Sequence, residues 1–165
     1  MRKRAALLPA LLLLLAGCGL QPVYSGGTAS PVAQGLAQVE VAPIEGRAGW
    51  LVRNALVDRM SIAKSSAAPV YRLDVRLDDR LEALGVLSND EISRERRTLR
   101  ARYQLVDIAS GEIVFDATAA SDAGIDVVSS EYAVIAAEQT ALENLSRDIA
   151  DRIVTALAQR IQATS

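Results

Sequence analysis

Residues 71–78 carry the sequence YRLDVRLD, in which apolar and charged side chains alternate. Successive side chains of a β-strand point to opposite faces of the sheet, so a period of two predicts a strand with one wet face. The alternation returns at residues 98–105, TLRARYQL, and again at 113–119 after the turn Ser110–Gly111. Residues 79–92 contain a further turn sequence, Ser88-Asn89-Asp90. We therefore predict three antiparallel strands that are joined by hairpins.

Helical patterns lie on both sides of these strands. Apolar residues recur at three- and four-residue spacing from Arg47 to about Ala63, and again from Ser130 for about 30 residues, a length of roughly 45 Å. A short strand is predicted within Ala37–Ile44, which ends beside a proline. This order predicts an α+β fold, a two-layer sandwich with two helices packed on one face of a four-stranded, mostly antiparallel sheet.

The N-terminal residues have the organisation of a signal peptide. Residues 2–4, RKR, are followed by a thirteen-residue apolar stretch, Ala5–Gly17, whereas a membrane span takes roughly 18 or more residues. The sequence LAGC at 15–18 resembles the lipobox of bacterial lipoproteins. This resemblance implies cleavage before Cys18 and lipidation of its thiol. The alternative is an ordinary secretory signal that ends in an incidental cysteine.

The chain is therefore predicted to contain three parts. Residues 1–17 form the lipoprotein signal peptide, 18–35 a lipid-anchored linker rich in Gly, Ser, Pro and Gln, and 36–165 a single α+β domain. Gly19 occupies the position where lipoproteins kept at the inner membrane commonly carry Asp. By this resemblance we expect the protein in the outer membrane, lipid-anchored and on the periplasmic side.

Composition excludes several classes of function. The chain has no histidine and one cysteine, so the commonest general base, the commonest metal ligand and an internal disulfide are all absent. With 18 Lys+Arg against 20 Asp+Glu, the chain is not generally basic, and nucleic acid is not an expected partner. We expect no cofactor and no metal.

Two patterns resemble catalytic motifs but lack the right context. Ser61-Ile62-Ala63-Lys64 matches the Ser-x-x-Lys of penicillin-recognising enzymes, yet it lies where a predicted helix ends rather than where one begins. The acidic pairs Asp78–Asp79 and Asp90–Glu91 would suit a glycoside hydrolase only if two carboxylates faced each other across a cleft. We predict that the protein is not an enzyme. A small carboxylate-dependent hydrolase is the alternative, and it would need a sizeable cleft.

A cluster of arginines is the strongest candidate binding feature. Arg94, Arg96, Arg100 and Arg102 share one parity, so they would project from one face of a strand, and Arg97 lies among them. The planar guanidinium pairs bidentately with phosphate. The candidate phosphate-binding residues are Arg94, Arg96, Arg97 and Arg100. The alternative is that these arginines pair with acids of a neighbouring strand, where Asp74 and Asp78 are available.

Short segments along the chain resemble one known family. Residues 18–24, CGLQPVY, are similar to the Cys-Gly-Phe-x-Pro-x-Tyr start of the LPS-assembly lipoprotein family LptE, with Leu20 in place of the aromatic residue. The further matching positions are Arg47, Gly49, Leu51 and Arg53–Leu56 in the first helix, Ala101, Tyr103, Leu105, Asp107 and Gly111 in the hairpin, and Tyr132, Ala133 and Ala137 in the last helix.

This resemblance implies a function and its partners. A member of the LptE family would be the outer-membrane lipoprotein that plugs the β-barrel LptD and helps to assemble it. It would bind lipopolysaccharide (LPS) during delivery to the cell surface, and the LPS phosphates would contact Arg94, Arg96, Arg97 and Arg100. The expected partners are LptD, LPS and, through the lipid on Cys18, the membrane. The alternative is a generic periplasmic-facing adaptor lipoprotein that binds another envelope protein or peptidoglycan.

Overall fold

The computed structural model describes residues 30–61, 68–86 and 92–164. The elements in chain order are α1 (Pro31–Ala37), β1 (Val39–Val41), α2 (Gly46–Met60), β2 (Tyr71–Val86), β3 (Ile92–Asp107), β4 (Ile113–Asp126) and α3 (Glu131–Thr164). The strands form one sheet in the order β1-β2-β3-β4. β1 runs parallel to β2, and the other pairs are antiparallel. The predicted α+β class, with helices packed against a four-stranded and mostly antiparallel sheet, is confirmed.

Alternation along the strands divides the sheet into two faces. The odd-numbered residues of β2, β3 and β4 point toward the helices, and Leu73 and Leu99 are 0% exposed there. α2 and α3 cover this face with their apolar stripes. The largest apolar side chains that these two helices bury fully or almost fully are those of Val52, Leu56, Leu145, Ile149, Ile153 and Leu157. Burying each large apolar side chain contributes about 1.5–3 kcal/mol, so this layer stabilises the fold.

The parallel pairing of β1 depends on α2. Two parallel strands need a crossover connection, because a tight hairpin can join only antiparallel strands. α2 supplies that crossover between Val41 and Tyr71, and Pro43 follows β1 where the chain leaves the sheet. The predicted strand within Ala37–Ile44 and the predicted helix from Arg47 therefore correspond to β1 and α2.

The helix α1 corrects the predicted start of the domain. Residues 18–35 have the composition of a linker, but Pro31–Ala37 is helical and buries Val32, Ala33 and Leu36 against the core. The Ser30 hydroxyl caps this helix by accepting from the Ala33 N–H at 3.1 Å. Residues 31–35, assigned to the linker from their composition, thus belong to a helix that packs against the core. Seven residues are too few for a helix to be stable alone, so tertiary packing stabilises α1.

The sequence predicted a turn for each of the two hairpins, and the described residues include one of these turns. At the β3–β4 turn the Asp107 carboxylate accepts from the N–H groups of Ala109 and Ser110 at 2.9 and 2.8 Å, and Gly111 has φ +72°. The predicted Ser110–Gly111 turn is therefore confirmed. In the β2–β3 hairpin, strand pairing continues to Val86↔Ile92. The predicted turn Ser88-Asn89-Asp90 lies outside the described residues.

Candidate functional site

The face of the sheet turned away from the helices is densely charged. Even-numbered residues of β2, β3 and β4 point to this side, which we call the open face. Its charged members are Arg72, Asp74, Arg76, Asp78, Arg80 and Glu82 on β2, Arg94, Arg96, Arg100 and Arg102 on β3, and Asp116, Asp122 and Asp126 on β4. Arginines and carboxylates thus alternate along β2, whereas the charged residues of β3 on this face are all arginines and those of β4 are all carboxylates.

The arginines of β3 with the same parity lie together on the open face, as the alternation predicts. Three of them pair with acids of β4. Arg94 Nε lies 3.1 Å from the Asp126 carboxylate and Arg96 Nε lies 3.8 Å from that of Asp122. Arg102 Nη2 lies 2.9 Å from Asp116 Oδ2. The arginine row is therefore largely neutralised by the neighbouring strand.

The acids that pair with this row are not the ones suggested by the sequence. Asp74 and Asp78 pair within their own strand instead, each with an arginine two residues away on the same face. Arg72 Nε lies 2.9 Å from Asp74 Oδ1, and Arg80 Nη2 lies 2.9 Å from Asp78 Oδ2. The alternative in which the β3 arginines pair with acids of a neighbouring strand thus holds for Arg94, Arg96 and Arg102, but their acidic partners lie on β4 rather than at Asp74 and Asp78. The physical reason is that same-strand neighbours already occupy both carboxylates.

These charge pairs perturb the pKa of one carboxyl group on the open face. The Arg102 guanidinium donates to Asp116, as does the Gln104 amide at 2.9 Å, and these hydrogen bonds hold the pKa of Asp116 below its ordinary value. The same contact raises the pKa of Arg102. Such exposed ion pairs are weak in water, so an incoming anion can replace the carboxylate as the partner of an arginine.

Arg97 lies on the other side of the sheet from Arg94, Arg96 and Arg100. Its guanidinium makes a two-point contact with Asp79 of β2, at 2.9 and 2.7 Å, and donates to the Glu138 carbonyl of α3 at 3.1 Å. The side chain is only 16% exposed. Arg97 therefore holds β2, β3 and α3 together, and proximity in sequence had grouped it with side chains that point the opposite way.

Two arginines at the centre of the open face, Arg76 and Arg100, form no ion pair with any residue that the structure describes. Among the described residues, neither Arg76 nor Arg100 forms an ion pair or a side-chain hydrogen bond. Arg76 lies between Asp74 and Asp78 on β2, and both carboxylates are engaged by the outer arginines. Sequence reasoning missed Arg76, although the alternation Arg-Asp-Arg-Asp-Arg at 72–80, with one arginine in excess, could have found it.

A concavity of about 380 Å³ adjoins Arg76 on the open face. Its lining residues are Ala42, Pro43, Asp74, Val75, Arg76, Arg102 and Gln104. Arg76 and Arg102 lie directly opposite each other on β2 and β3, and the chain leaving β1 forms the apolar wall. The concavity therefore combines two guanidinium groups, a carboxylate and an amide.

The remaining candidate residues are not brought together. Asp78 points to the open face and Asp79 to the helices, so this acidic pair does not form a carboxylate dyad. The Ser61 hydroxyl donates to the Asp58 carbonyl at 3.0 Å. Cys18, Lys64, Asp90 and Glu91 lie outside the described residues.

Within residues 30–61, 68–86 and 92–164, no three His, Cys, Asp or Glu side chains gather into a group that could hold a metal ion. No helix in these same ranges combines the length and the apolar composition needed to cross a membrane.

Comparison with solved structures identifies the class of this fold. A lipoprotein from Caulobacter crescentus CB15 has 25% identity and a TM-score of 0.65, with 82% of this chain and 98% of that chain covered. The rare lipoprotein B from Shewanella oneidensis (13% identity) and a minor lipoprotein from Acinetobacter baumannii (14% identity) each have a TM-score of 0.57 and cover 74% of this chain and 92% of theirs. The fold is thus one found in small bacterial lipoproteins.

A family model gives the more specific assignment. The model described as LptE, lipopolysaccharide-assembly, matches residues 36–157, well over half of the chain. No curated protein matches this chain. The chain belongs to the LptE family of lipopolysaccharide-assembly lipoproteins, and the resemblance found in the sequence is confirmed.

Proposed function

We propose that this protein is an outer-membrane lipoprotein that plugs the LPS-translocating β-barrel LptD, helps to assemble it and binds LPS during delivery to the cell surface. The observation that carries this proposal is the family match over residues 36–157. The role needs binding surfaces rather than catalytic groups, which suits a chain without histidine. We accordingly propose no enzymatic activity.

Anchoring depends on the N-terminal segment. We propose that Cys18 is lipidated after removal of residues 1–17 and that the lipid holds the domain on the periplasmic side of the outer membrane. Residues 19–29 then connect the lipid to the cap of α1 at Ser30. Acyl chains contribute about 0.8 kcal/mol per buried CH₂ group, so several chains on one cysteine give stable anchoring.

The open face is the proposed LPS-binding surface. We assign direct contact with LPS phosphates to Arg94, Arg96 and Arg100, which share this face. Arg94 and Arg96 would exchange exposed carboxylate partners for phosphate, and Arg100 has no partner to lose. Arg97 was part of the same predicted set, but its contact with Asp79 assigns it to holding the hairpin against α3. This division favours a phosphate site made by one strand face.

Co-purification tests the partner. The full-length lipidated protein, tagged at its C-terminus, is isolated from mildly solubilised outer membranes, with Cys18→Ser as the variant that cannot be lipidated. We expect a stoichiometric, heat-modifiable barrel with the wild type and much less with Cys18→Ser. Recovery of the wild-type protein alone, or with peptidoglycan or another envelope protein, would contradict the plug assignment and support an adaptor lipoprotein.

Binding of purified LPS to the full-length protein in detergent tests the surface. The triple variant Arg94→Ala, Arg96→Ala and Arg100→Ala should bind LPS at least about tenfold more weakly, because each charge-assisted contact to phosphate is strong. Arg152→Ala removes the same type of charge from an exposed position on α3 and should bind like the wild type. Unchanged binding by the triple variant would exclude the open face as the phosphate site.

A further inference from the structure

We infer that the concavity beside Arg76 is a subsite for an anionic sugar, that is, a saccharide unit with a phosphate or carboxylate group. The inference rests on the proposed function in one respect only, since it assumes that the sugar is part of a glycolipid such as LPS. It adds a location and a ligand chemistry, because Arg76 lies outside the arginine cluster of β3.

The two acids beside Arg76 on β2 both pair with other arginines. The β2 residues of the open face read Arg72, Asp74, Arg76, Asp78, Arg80, and the two acids are paired with the outer arginines. On β4 the acids flank a gap, since Ala120 is the residue opposite Arg100. On β2, Asp78 lies directly opposite Arg100 but pairs with Arg80. Among the described residues, Arg76 and Arg100 thus remain without an ion pair at the centre of the open face. An anion would fill the place that the protein's own acids leave empty.

Arg76 lies close to two other arginines, Arg100 and Arg102. Arg76 and Arg102 are directly opposite each other, where Cβ atoms are about 4.5–5.5 Å apart, and Arg100 is the diagonal neighbour of Arg76 at roughly 7–8 Å. Like charges directly opposite each other destabilise a sheet. Arg102 is partly compensated by Asp116 at 2.9 Å, but Arg76 is not. An anion bound between the guanidinium groups would relieve this repulsion.

The lining of the concavity combines hydrogen-bond acceptors with a small apolar wall. Asp74 and Gln104 offer oxygen atoms that can accept hydrogen bonds from sugar hydroxyl groups. The apolar side chains of the wall are those of Ala42 and Pro43, because the Val75 side chain is buried in the core on the helix side. Neither is a large side chain that could pack along an acyl chain. The volume of about 380 Å³ is near the lower end of the roughly 300–1,000 Å³ typical of small-molecule sites. The concavity therefore suits a sugar unit rather than a lipid tail.

The test uses the full-length lipidated protein in a neutral detergent and four probes. These are glucose 1-phosphate, galacturonate, glucose and inorganic phosphate, each titrated by NMR or calorimetry at low ionic strength. We expect both anionic sugars to bind, glucose not to bind, and inorganic phosphate to bind at least about threefold more weakly than glucose 1-phosphate. Failure of both anionic sugars to bind would overturn the inference. Equal affinity for inorganic phosphate would replace it with a plain anion site.

Variants locate the binding. Arg76→Ala should weaken binding of glucose 1-phosphate at least about tenfold, because a charge-assisted hydrogen bond is lost. Arg152→Ala, the charge-matched control on α3, should not change it. A second pair leaves every arginine in place. Ala120→Asp puts a carboxylate opposite Arg100 on the β4 side and should weaken binding about threefold, whereas Ala120→Asn should not. Binding unchanged by Arg76→Ala would place the sugar elsewhere.

The outcomes for the subsite and for the plug function can be separated. Sugar binding is measured on the isolated protein, and barrel co-purification on the membrane extract. If the barrel co-purifies but sugars do not bind, the subsite is excluded and the proposed function stands. If sugars bind through Arg76 but no barrel is found, the subsite stands on a lipoprotein with another partner.

Discussion

The two faces of strand β3 are built from adjacent residues and differ in what they contribute. On the helix side, Leu99, Ala101 and Tyr103 are almost completely buried in the core. On the open face, Arg96 and Arg100 are exposed and form at most weak ion pairs. Burial of one large apolar side chain contributes about 1.5–3 kcal/mol, whereas an exposed ion pair contributes about 0–1 kcal/mol. One face therefore stabilises the fold, and the other is available for binding.

Arg97 is the exception to this division. It is a charged residue on the helix side, held by Asp79 and by the Glu138 carbonyl. A charge can be tolerated in such a half-buried position because its donors are satisfied. Burial and partners, rather than residue type alone, therefore decide whether a charged residue stabilises the fold or is available for binding.

The largest expected effect is at Leu99, which is central to the helix side. Leu99→Ala should lower the free energy of unfolding by about 2–5 kcal/mol, because the change leaves a cavity in the core. The adjacent substitution on the open face, Arg100→Ala, should change it by less than about 0.5 kcal/mol. Denaturant unfolding followed by circular dichroism measures both. Equal losses in the two variants would show that the faces do not divide stability from binding.

An intermediate effect is expected at Arg97. Arg97→Ala leaves Asp79 without its partner in a half-buried position, so unfolding free energy should fall by about 1–3 kcal/mol. Arg96→Ala, one residue away on the open face, should cost less than about 0.5 kcal/mol. The same denaturant experiment compares them. A loss at Arg96 as large as that at Arg97 would remove the distinction drawn between these neighbours.

The smallest effect is a titration shift on the open face. Arg102→Gln removes the strongest hydrogen bond to Asp116, so the pKa of this carboxyl should rise toward its ordinary value of 3.8. Because the folded pKa is lowered, the stabilisation from this contact is present above pH 3.8 and is lost as the pH falls through the folded pKa. Carboxyl-carbon NMR titration measures the shift. Arg94→Gln is the control, and an Asp116 pKa unchanged in Arg102→Gln would show that the pair does not persist in solution.

The prediction of the fold succeeded where a pattern repeats over many residues. The strict alternation at 71–78 and 98–105 located β2 and β3, and the long apolar stripe located α3. It failed at α1, because seven residues give too short a pattern to distinguish a helix from a linker. It also left open the partners of the arginine row, because register alone does not decide them: Asp78 lies directly opposite Arg100 but pairs with Arg80.

The candidate site was predicted in part for the same reason. Parity placed Arg94, Arg96 and Arg100 on one face, and this needs only the two-residue period of a strand. The opposite placement of Arg97 follows from the same rule. The alternation at 72–80 shows that β2 has one arginine in excess, but the sequence does not say which one. Arg76 is the one without an ion pair because Asp74 and Asp78 pair with the outer arginines and Arg102 lies opposite.

The sequence by itself determined the α+β class, the assignment of side chains to one face or the other, and the resemblance to the LptE family, since local periodicity and local motifs carry all three. Only the tertiary structure decided that α1 packs against the core, that three β3 arginines pair with β4, and that Arg76 and Arg100 have no ion pair among the described residues. These features arise from contacts between residues far apart in the chain. The physical reason is that register, strand order and packing, rather than local propensity, determine which charges meet.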